Sequence, residues 1–270
     1  MFDYLKFLRT RNFPHIWCPG CGDGIILKAL IRSMDKLDIS RDEAVMVSGI
    51  GCSSRTPGYV DINTLHTTHG RALPFATGVK HANPDLNVIV VTGDGDATAI
   101  GGNHYIHAAR RNINLTVLLY NNYIYGMTGG QCSPTTPRGD RASTAPYGNI
   151  EPPFNTAGLA ISAGASFVAR ADVYHVKQCE KMITRALQKD GFSLVEILTP
   201  CPTAYGRRNR MANPVKLMEW LKDNTISVKK WEKLSPEERE GKTRVGVLSD
   251  IDKPEYTSEY RKLIERVQGE

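Results

Sequence analysis

A chain of 270 residues with 41% apolar and 23% charged residues is long enough to bury a substantial core as one large domain or two small ones. Its longest apolar runs, "NVIVVTG" and "NLTVLLYNN", fall far short of the roughly 20 residues a membrane span needs, and the N-terminus lacks the charged-then-apolar pattern of a secretion signal; a cytoplasmic protein without a membrane partner is expected. The net charge of +6 and pI near 9.0 permit an acidic partner, but such a surplus is common in chains of this length that bind nothing acidic, and nucleic acid is not expected.

In chain order the first feature is "WCPGCGDG", which sets Cys18 and Cys21 three positions apart among glycines and a proline. Six cysteines are too few for a secreted disulfide scaffold, and in a reducing cytosol a close pair reads as ligands. A helix is predicted over Gly24 to Lys36, then a strand over Ala44 to Ser48, with Cys52 just beyond it in "GIGCSSR". Helix Ala72 to Ala82 leads to strand Asn87 to Thr92, and helix Asn103 to Arg110 to strand Leu115 to Tyr120. The Gly-, Pro-, Ser- and Thr-rich stretch from Met127 to Pro153 reads as a long functional loop. Strand Ser166 to Ala169, helix Val173 to Lys189 and strand Leu194 to Leu198 follow, with Cys201 just past the last strand in "LTPCPT". The basic run Tyr205 to Arg210, "YGRRNR", fits either a partner surface or a solvated loop.

Short, uniformly apolar strands alternating with helices predict a doubly wound α/β domain with a mostly parallel, buried sheet. After Pro202 the pattern turns charged and helical, so the expected organisation is a domain over 1–204 and a C-terminal extension over 205–270 packed on it. Ligands of such sheets gather at the carboxyl ends of the strands.

Two of those ends carry matching chemistry. One strand runs into Gly93-Asp94-Gly95, a carboxylate flanked by residues small enough for a phosphate to approach the backbone; another ends at Asn121-Asn122, with Asn122 28 positions after Asp94. Asp and Asn on adjacent parallel strands offer two hard oxygens to one Mg²⁺, leaving its other positions for a diphosphate, a backbone carbonyl and water. Alone, the Asp could cap a helix and the Asn pair could make a turn. Together they resemble the thiamine diphosphate signature, which implies Mg²⁺ on the side chains of Asp94 and Asn122 and on the carbonyl of Ile124.

Cys18, Cys21, Cys52 and Cys201 supply four thiolates from one pair and two loops at the same sheet edge. Ligand count fits a [4Fe–4S] cluster and structural Zn²⁺ equally. The neighbouring cofactor separates them, since thiamine diphosphate makes an electron-rich enamine from a 2-oxoacid, and a cluster accepts electrons singly where zinc cannot. Cys179 sits in a helix pattern and reads as core; Cys132 lies in the long loop without a partner.

The motifs "WCPGCGDG", "GIGCSSR", "HGRALPFATG", "GDGDATAIGGNH", "NNYIYGMTGGQ" and "PCPTAYGRRNR" occur in order over nearly the whole chain. In them the sequence resembles the β subunit of 2-oxoacid:ferredoxin oxidoreductases, and "YGMTGGQ", "SPTTP" and "TAYGRRNR" are most similar to the branch acting on 2-oxoglutarate, with pyruvate and branched-chain enzymes as close relatives. The resemblance implies that Cys18, Cys21, Cys52 and Cys201 ligate a [4Fe–4S] cluster. It implies thiamine diphosphate held by its diphosphate half, with Gly93 to Asp96 as the cradle and Ile50, Gly51, Ser53, His69, Thr128 and Gly129 as further contacts. Met127 and Gln131 are expected beside the thiazolium and, with His69, as catalytic residues. The implied partners are an α subunit carrying the activating Glu, further small subunits, ferredoxin, a 2-oxoacid and CoA. A zinc-stabilised binding protein and an unrelated nucleotide-binding α/β protein are the competing readings.

Overall fold

The computed structural model describes residues 3–269. An eight-stranded sheet forms the centre: β1 (Ala44–Ser48), β2 (Asn63–His66), β3 (Asn87–Gly93), β4 (Leu115–Asn121), β7 (Phe167–Asp172), β8 (Phe192–Leu198), β9 (Thr225–Ser227) and β10 (Thr243–Asp250), in the order β2-β1-β3-β4-β8-β7-β10-β9. A separate two-residue ladder pairs β5 (Ile124–Tyr125) with β6 (Gln131–Cys132). Every pair from β2 to β7 is parallel, and β10 runs antiparallel to β7.

Alternation along the strands divides the core into two layers. Ile89 and Val91 of β3 face the helices α1 (Asp23–Lys36) and α5 (Val176–Gln188); Val88 and Val90 face α2 (Ala72–Ala82), α3 (Gly102–Arg111) and α4 (Thr156–Ala163). In α5 the buried residues Cys179, Met182, Ile183 and Ala186 recur at helical spacing, a single apolar stripe. Cys179 is core, as its position in the pattern implied.

The expected strands and helices are present with shifted ends. Residues 173–175 form the turn before α5, because the Asp172 carboxylate accepts from the backbone N–H of His175 at 2.8 Å. Two elements carried no periodic apolar signal: β2, a polar edge strand, and α4, an apolar run of mostly small residues without a polar face, with its N-terminus capped by Asn155, whose side chain accepts from Gly158 N–H at 3.1 Å. The C-terminal extension contains α6 (Pro214–Asn224), the short α7 (Val228–Trp231) and α8 (Pro236–Arg239), and α9 (Tyr256–Gln268), but it is not purely helical. It also contributes β9 and β10, so the segment expected to pack on the domain also completes its sheet. The half-exposed, Arg- and Ser-containing sequence of β10 hid that strand. Among the described residues no helix is long and apolar enough to cross a membrane.

Candidate active site

The chain leaves β1 to build β2 on one side and β3 on the other, which opens a crevice at the carboxyl ends of β1, β3 and β4. A cavity of about 300 Å³ lies there. Two single turns of π-helix border the region, Asp96–Ile100 after β3 and Pro202–Gly206 after β8, a geometry common beside functional sites.

Asp94, Asn122 and Ile124 all line the cavity. Asp94 is almost wholly buried; Ser133 and Thr135 hydroxyls donate to its Oδ2 at 2.6 and 2.5 Å, and its carbonyl accepts from Thr98 at 2.6 Å. Burial pushes its carboxyl up to about 6, against the pull of those hydroxyls. The two asparagines divide their work. Asn121 turns inward, donating to Glu196 at 2.8 Å and accepting from Tyr123 N–H at 3.1 Å, while Asn122 faces the cavity with its Oδ1 3.2 Å from Ile124 N. Tyr123, which follows them, adopts φ +63°, a left-handed turn between Asn122 and Ile124.

Gly93, Gly95, Ile50, Gly51 and Ser53 form the wall on which a diphosphate would rest. A Cβ on Gly95 would lie 2.2 Å from the Tyr125 ring, whose hydroxyl donates to the Gly95 carbonyl at 3.2 Å, so only glycine fits. The Ser53 hydroxyl is buried without a protein partner and lies 3.4 Å from where a Gly93 Cβ would stand. An orphaned donor over a glycine suits a phosphate oxygen.

Asp96 also lines the cavity, but its oxygens are engaged: Thr92 donates to Oδ2 at 2.7 Å, Gly70 N–H and Ile50 N–H to Oδ1 at 2.7 and 3.3 Å. It ties three segments together. His69 lines the cavity with its Nδ1 2.7 Å from Asp96 Oδ1, a close contact without hydrogen-bond alignment. Met127 and Thr128 line the mouth, and Met127 is 41% exposed. Gln131 and Gly129 stand outside the lining. Gln131 clasps Thr128, accepting from its hydroxyl at 2.7 Å and donating to its carbonyl at 3.0 Å; Gly129 makes the turn with φ +121°.

The four cysteines adjoin this cavity. Cys52 lines it, Trp17 donates to the Cys52 carbonyl at 2.8 Å, and a Cβ on Gly126 would lie 3.3 Å from Cys201 Sγ and 3.7 Å from Cys52 Sγ. Burial, then the nearby Asp23, then Cys201 and Cys18 push the Cys52 thiol up to about 12. Cys21 rises by burial, Asp23 and the neighbouring thiols, and Cys201 rises by burial despite two backbone N–H groups. The four are thus mutually close, yet among the described residues no three Cys, His, Asp or Glu converge on the position of a single ion. Cys132 stays apart, paired with Ile124 across the β5–β6 ladder.

Sequence reasoning did not single out Asp23, Ser133, Thr135, Glu196 or Tyr125. Asp23, the first residue of α1, is buried against both the cavity and the thiols and accepts from Thr199 at 3.4 Å. Its burial raises it to about 6. "WCPGCGDG" and "SPTTP" contain three of the five, so the signal was present as a motif without an assigned role.

A glycine-lined cradle with an acid and an amide at the switch point of a doubly wound sheet defines a thiamine diphosphate-binding domain, and residues 49–197 match the family described as thiamine pyrophosphate enzyme, C-terminal TPP binding domain. The chain is 52% identical over 266 residues to the 2-oxoglutarate synthase subunit KorB of Methanothermobacter marburgensis, covering 98% of this chain and 93% of that one. It is 50% identical to the subunit of the same name from Methanocaldococcus jannaschii over 270 residues, the whole of both. A solved 2-oxoglutarate:ferredoxin oxidoreductase from Magnetococcus marinus, with 2-oxoglutarate, coenzyme A and succinyl-CoA bound, is similar at TM-score 0.86 and 38% identity over 95% of this chain and 88% of that one. The chain belongs to the KorB family, the β subunits of 2-oxoglutarate synthase, an oxidoreductase of several subunits.

Proposed function

We propose that this subunit holds the diphosphate half of thiamine diphosphate through Mg²⁺ on Asp94, Asn122 and the Ile124 carbonyl, and a [4Fe–4S] cluster on Cys18, Cys21, Cys52 and Cys201. The overall reaction is 2-oxoglutarate + CoA + two oxidised ferredoxins giving succinyl-CoA + CO₂ + H⁺ + two reduced ferredoxins, or its reverse. Thiamine diphosphate supplies carbanion stabilisation and the cluster supplies one-electron transfer when bound. The protein's part is positional. Of the proposed Mg²⁺ ligands Asp94 alone carries a carboxylate, Ser53 and the glycine wall receive the diphosphate, and His69 stands against Asp96. Met127 gives the reacting end an apolar, water-excluding contact.

One observation carries this reading: Cys52 belongs at once to the wall of the cavity and to the group of four thiols. The raised thiols of Cys21, Cys52 and Cys201 also mean that these three stay protonated at neutral pH without metal, so loading must release protons. Anaerobically purified protein should be brown with about four iron and four sulfide per chain; a colourless protein with one zinc overturns the reading.

The cavity holds one end of the cofactor only. Among the described residues 205–269 no second sheet covers the other, so the α subunit supplies the aminopyrimidine pocket and its activating Glu. Purified alone, the iron-loaded chain with thiamine diphosphate, Mg²⁺ and CoA should reduce neither dye nor ferredoxin, and should gain activity on adding the α subunit. Robust turnover by the isolated chain would falsify the shared site.

A further inference from the structure

The basic run "YGRRNR" divides between two environments. Arg207 and Arg210 are exposed, whereas Tyr205 is buried and Arg208 and Asn209 are half-buried. The chain winds on from the π-turn after Cys201, with Gly206 N–H donating to the Cys201 carbonyl at 2.9 Å and Asn209 N–H to the Tyr205 carbonyl at 3.1 Å. Positions 205, 208 and 209 therefore share one face. That face meets the long loop that follows β5, so the inward half of the run is neither a solvated loop nor a free basic surface.

Each of the three side chains holds the loop at a different place. Arg208 Nη2 donates to the Gly129 carbonyl at 3.1 Å and Nη1 to the Ala204 carbonyl at 3.3 Å, so one guanidinium bridges the loop and the turn that starts at Cys201. Gly130 lies so near that a Cβ there would meet Nη1 at 2.6 Å. Asn209 grips the backbone of Arg141 twice, accepting from its N–H at 2.8 Å and donating to its carbonyl at 3.1 Å, and Tyr205 donates its hydroxyl to the Asp140 carboxylate. The two parts of the loop are tied to each other, because Ser143 N–H donates to the Gly130 carbonyl at 2.7 Å. Met127 and Thr128, the part of the loop that lines the cavity, directly precede the carbonyl that Arg208 holds. The successive glycines 129 and 130 give this rim more backbone freedom than other residues would, and the guanidinium restrains it from outside the loop.

We infer that Arg208 is a positioning residue: it keeps Met127 and Thr128 ordered at the cavity rim before the 2-oxoacid arrives, while Asn209 and Tyr205 brace the part of the loop behind them. The inference rests on the assignment of the cavity to thiamine diphosphate. Without the guanidinium the rim samples other conformations, and a substrate that needs the ordered one binds more weakly in proportion to the fraction of time it is present. Saturating substrate selects the ordered state, so turnover of the bound complex changes little. The loss therefore falls on KM and spares kcat. General destabilisation removes active molecules and would do the opposite.

The test uses the assembled α/β enzyme carrying Arg208→Met, which keeps an apolar stem and removes the guanidinium. KM for 2-oxoglutarate should rise roughly tenfold or more, with kcat, iron content and affinity for thiamine diphosphate and Mg²⁺ each within about twofold of the parent. Arg208→Lys, which keeps the charge without the planar fork, should give a KM between the two. Hydrogen exchange in the substrate-free variant should be faster over Met127 to Gln131, and 2-oxoglutarate should restore the protection. A KM unchanged from the parent overturns the inference, as does a fall in kcat at constant KM or an exchange pattern identical to the parent's. If Arg208→Met does not assemble, Arg208→Lys decides by the same two measurements. An unaltered enzyme that binds no thiamine diphosphate would instead strike at the cavity assignment, and the exchange comparison, which needs no cofactor, would still report on the restraint by Arg208.

Discussion

Thr135→Val tests whether the buried hydroxyls around Asp94 prepare it for Mg²⁺. Valine keeps the branched shape of this 2% exposed side chain and removes only the hydroxyl. That hydroxyl lies 2.5 Å from Asp94 Oδ2 and 3.0 Å from Asn121 Oδ1; its single proton goes to the shorter, charged contact. A hydrogen bond to a charged group contributes about 1.5–3 kcal/mol, which at 1.4 kcal/mol per decade is a roughly 10- to 100-fold loss of affinity for Mg²⁺ and thiamine diphosphate. Ser133 still donates at 2.6 Å, so binding weakens without disappearing; Asp94→Ala, which removes the carboxylate, should abolish it. The pH dependence has a definite sign. The Asp94 carboxyl titrates near 6 before metal binds, and losing a donor to its charged form moves it higher, so the defect should be larger at pH 6.5 than at 8.5. Calorimetric titration of the chelator-stripped α/β complex reads both quantities, and Thr135→Ser should recover most of the affinity. Affinities within twofold of the parent at both pH values would refute the argument.

Cys52→Ser and Cys201→Ser should each lose most iron and sulfide, whereas Cys132→Ser, outside the four-thiol group, should retain both; metal analysis of the three proteins decides, and full iron in either of the first two removes the cluster assignment. Glu196→Leu leaves Arg170, whose Nε lies 2.7 Å from the carboxylate, as an uncompensated buried charge and should destabilise the chain by about 3–5 kcal/mol in chemical denaturation. Most of that loss should return in Arg170→Met/Glu196→Leu, and a double variant as unstable as the single one contradicts the ion-pair account.

How much of this was visible in the sequence follows from where information sits in a doubly wound fold. Strands such as Val88 to Val91 and Leu115 to Tyr120 are buried on both faces and announce themselves as apolar runs. Asp94, Asn122 and the cysteines are legible because each directly follows such a run or stands in a short glycine-rich motif. β10 and β2 were not legible: one side of each meets solvent, and their mixed composition matches a loop as well as a strand. Ser133 and Thr135 reach Asp94 across 39 and 41 positions of chain, folded back by a loop whose course no local periodicity encodes. The same limit applies to Gln131. Its place in "YGMTGGQ" put it near the thiazolium; in the structure it bonds Thr128, which lines the cavity, and is not itself among the lining residues.

Asp23 and Asp94 connect the site to the stability of the whole chain. Both are buried carboxyls raised to about 6 from an ordinary 3.8, chiefly by desolvation. Below about pH 3 each is protonated whether the chain is folded or not, and neither carries a penalty. As pH rises from 4 to 6 the unfolded chain releases those protons and the folded chain retains them, so stability falls; above 6 the loss levels off at about 3 kcal/mol for each two-unit shift. Mg²⁺ on Asp94 would neutralise the charge that burial disfavours, and loading should therefore stabilise more at pH 7.5 than at pH 4.5. Asp94→Asn separates this from every other titrating group. In metal-free protein the variant should match the parent near pH 4 and become up to about 3 kcal/mol more stable by pH 7.5, with the order reversed once saturating Mg²⁺ and thiamine diphosphate are added. Urea denaturation at the two pH values measures the difference, and a gap that does not change with pH would mean that Asp94 is not carrying a buried charge at all.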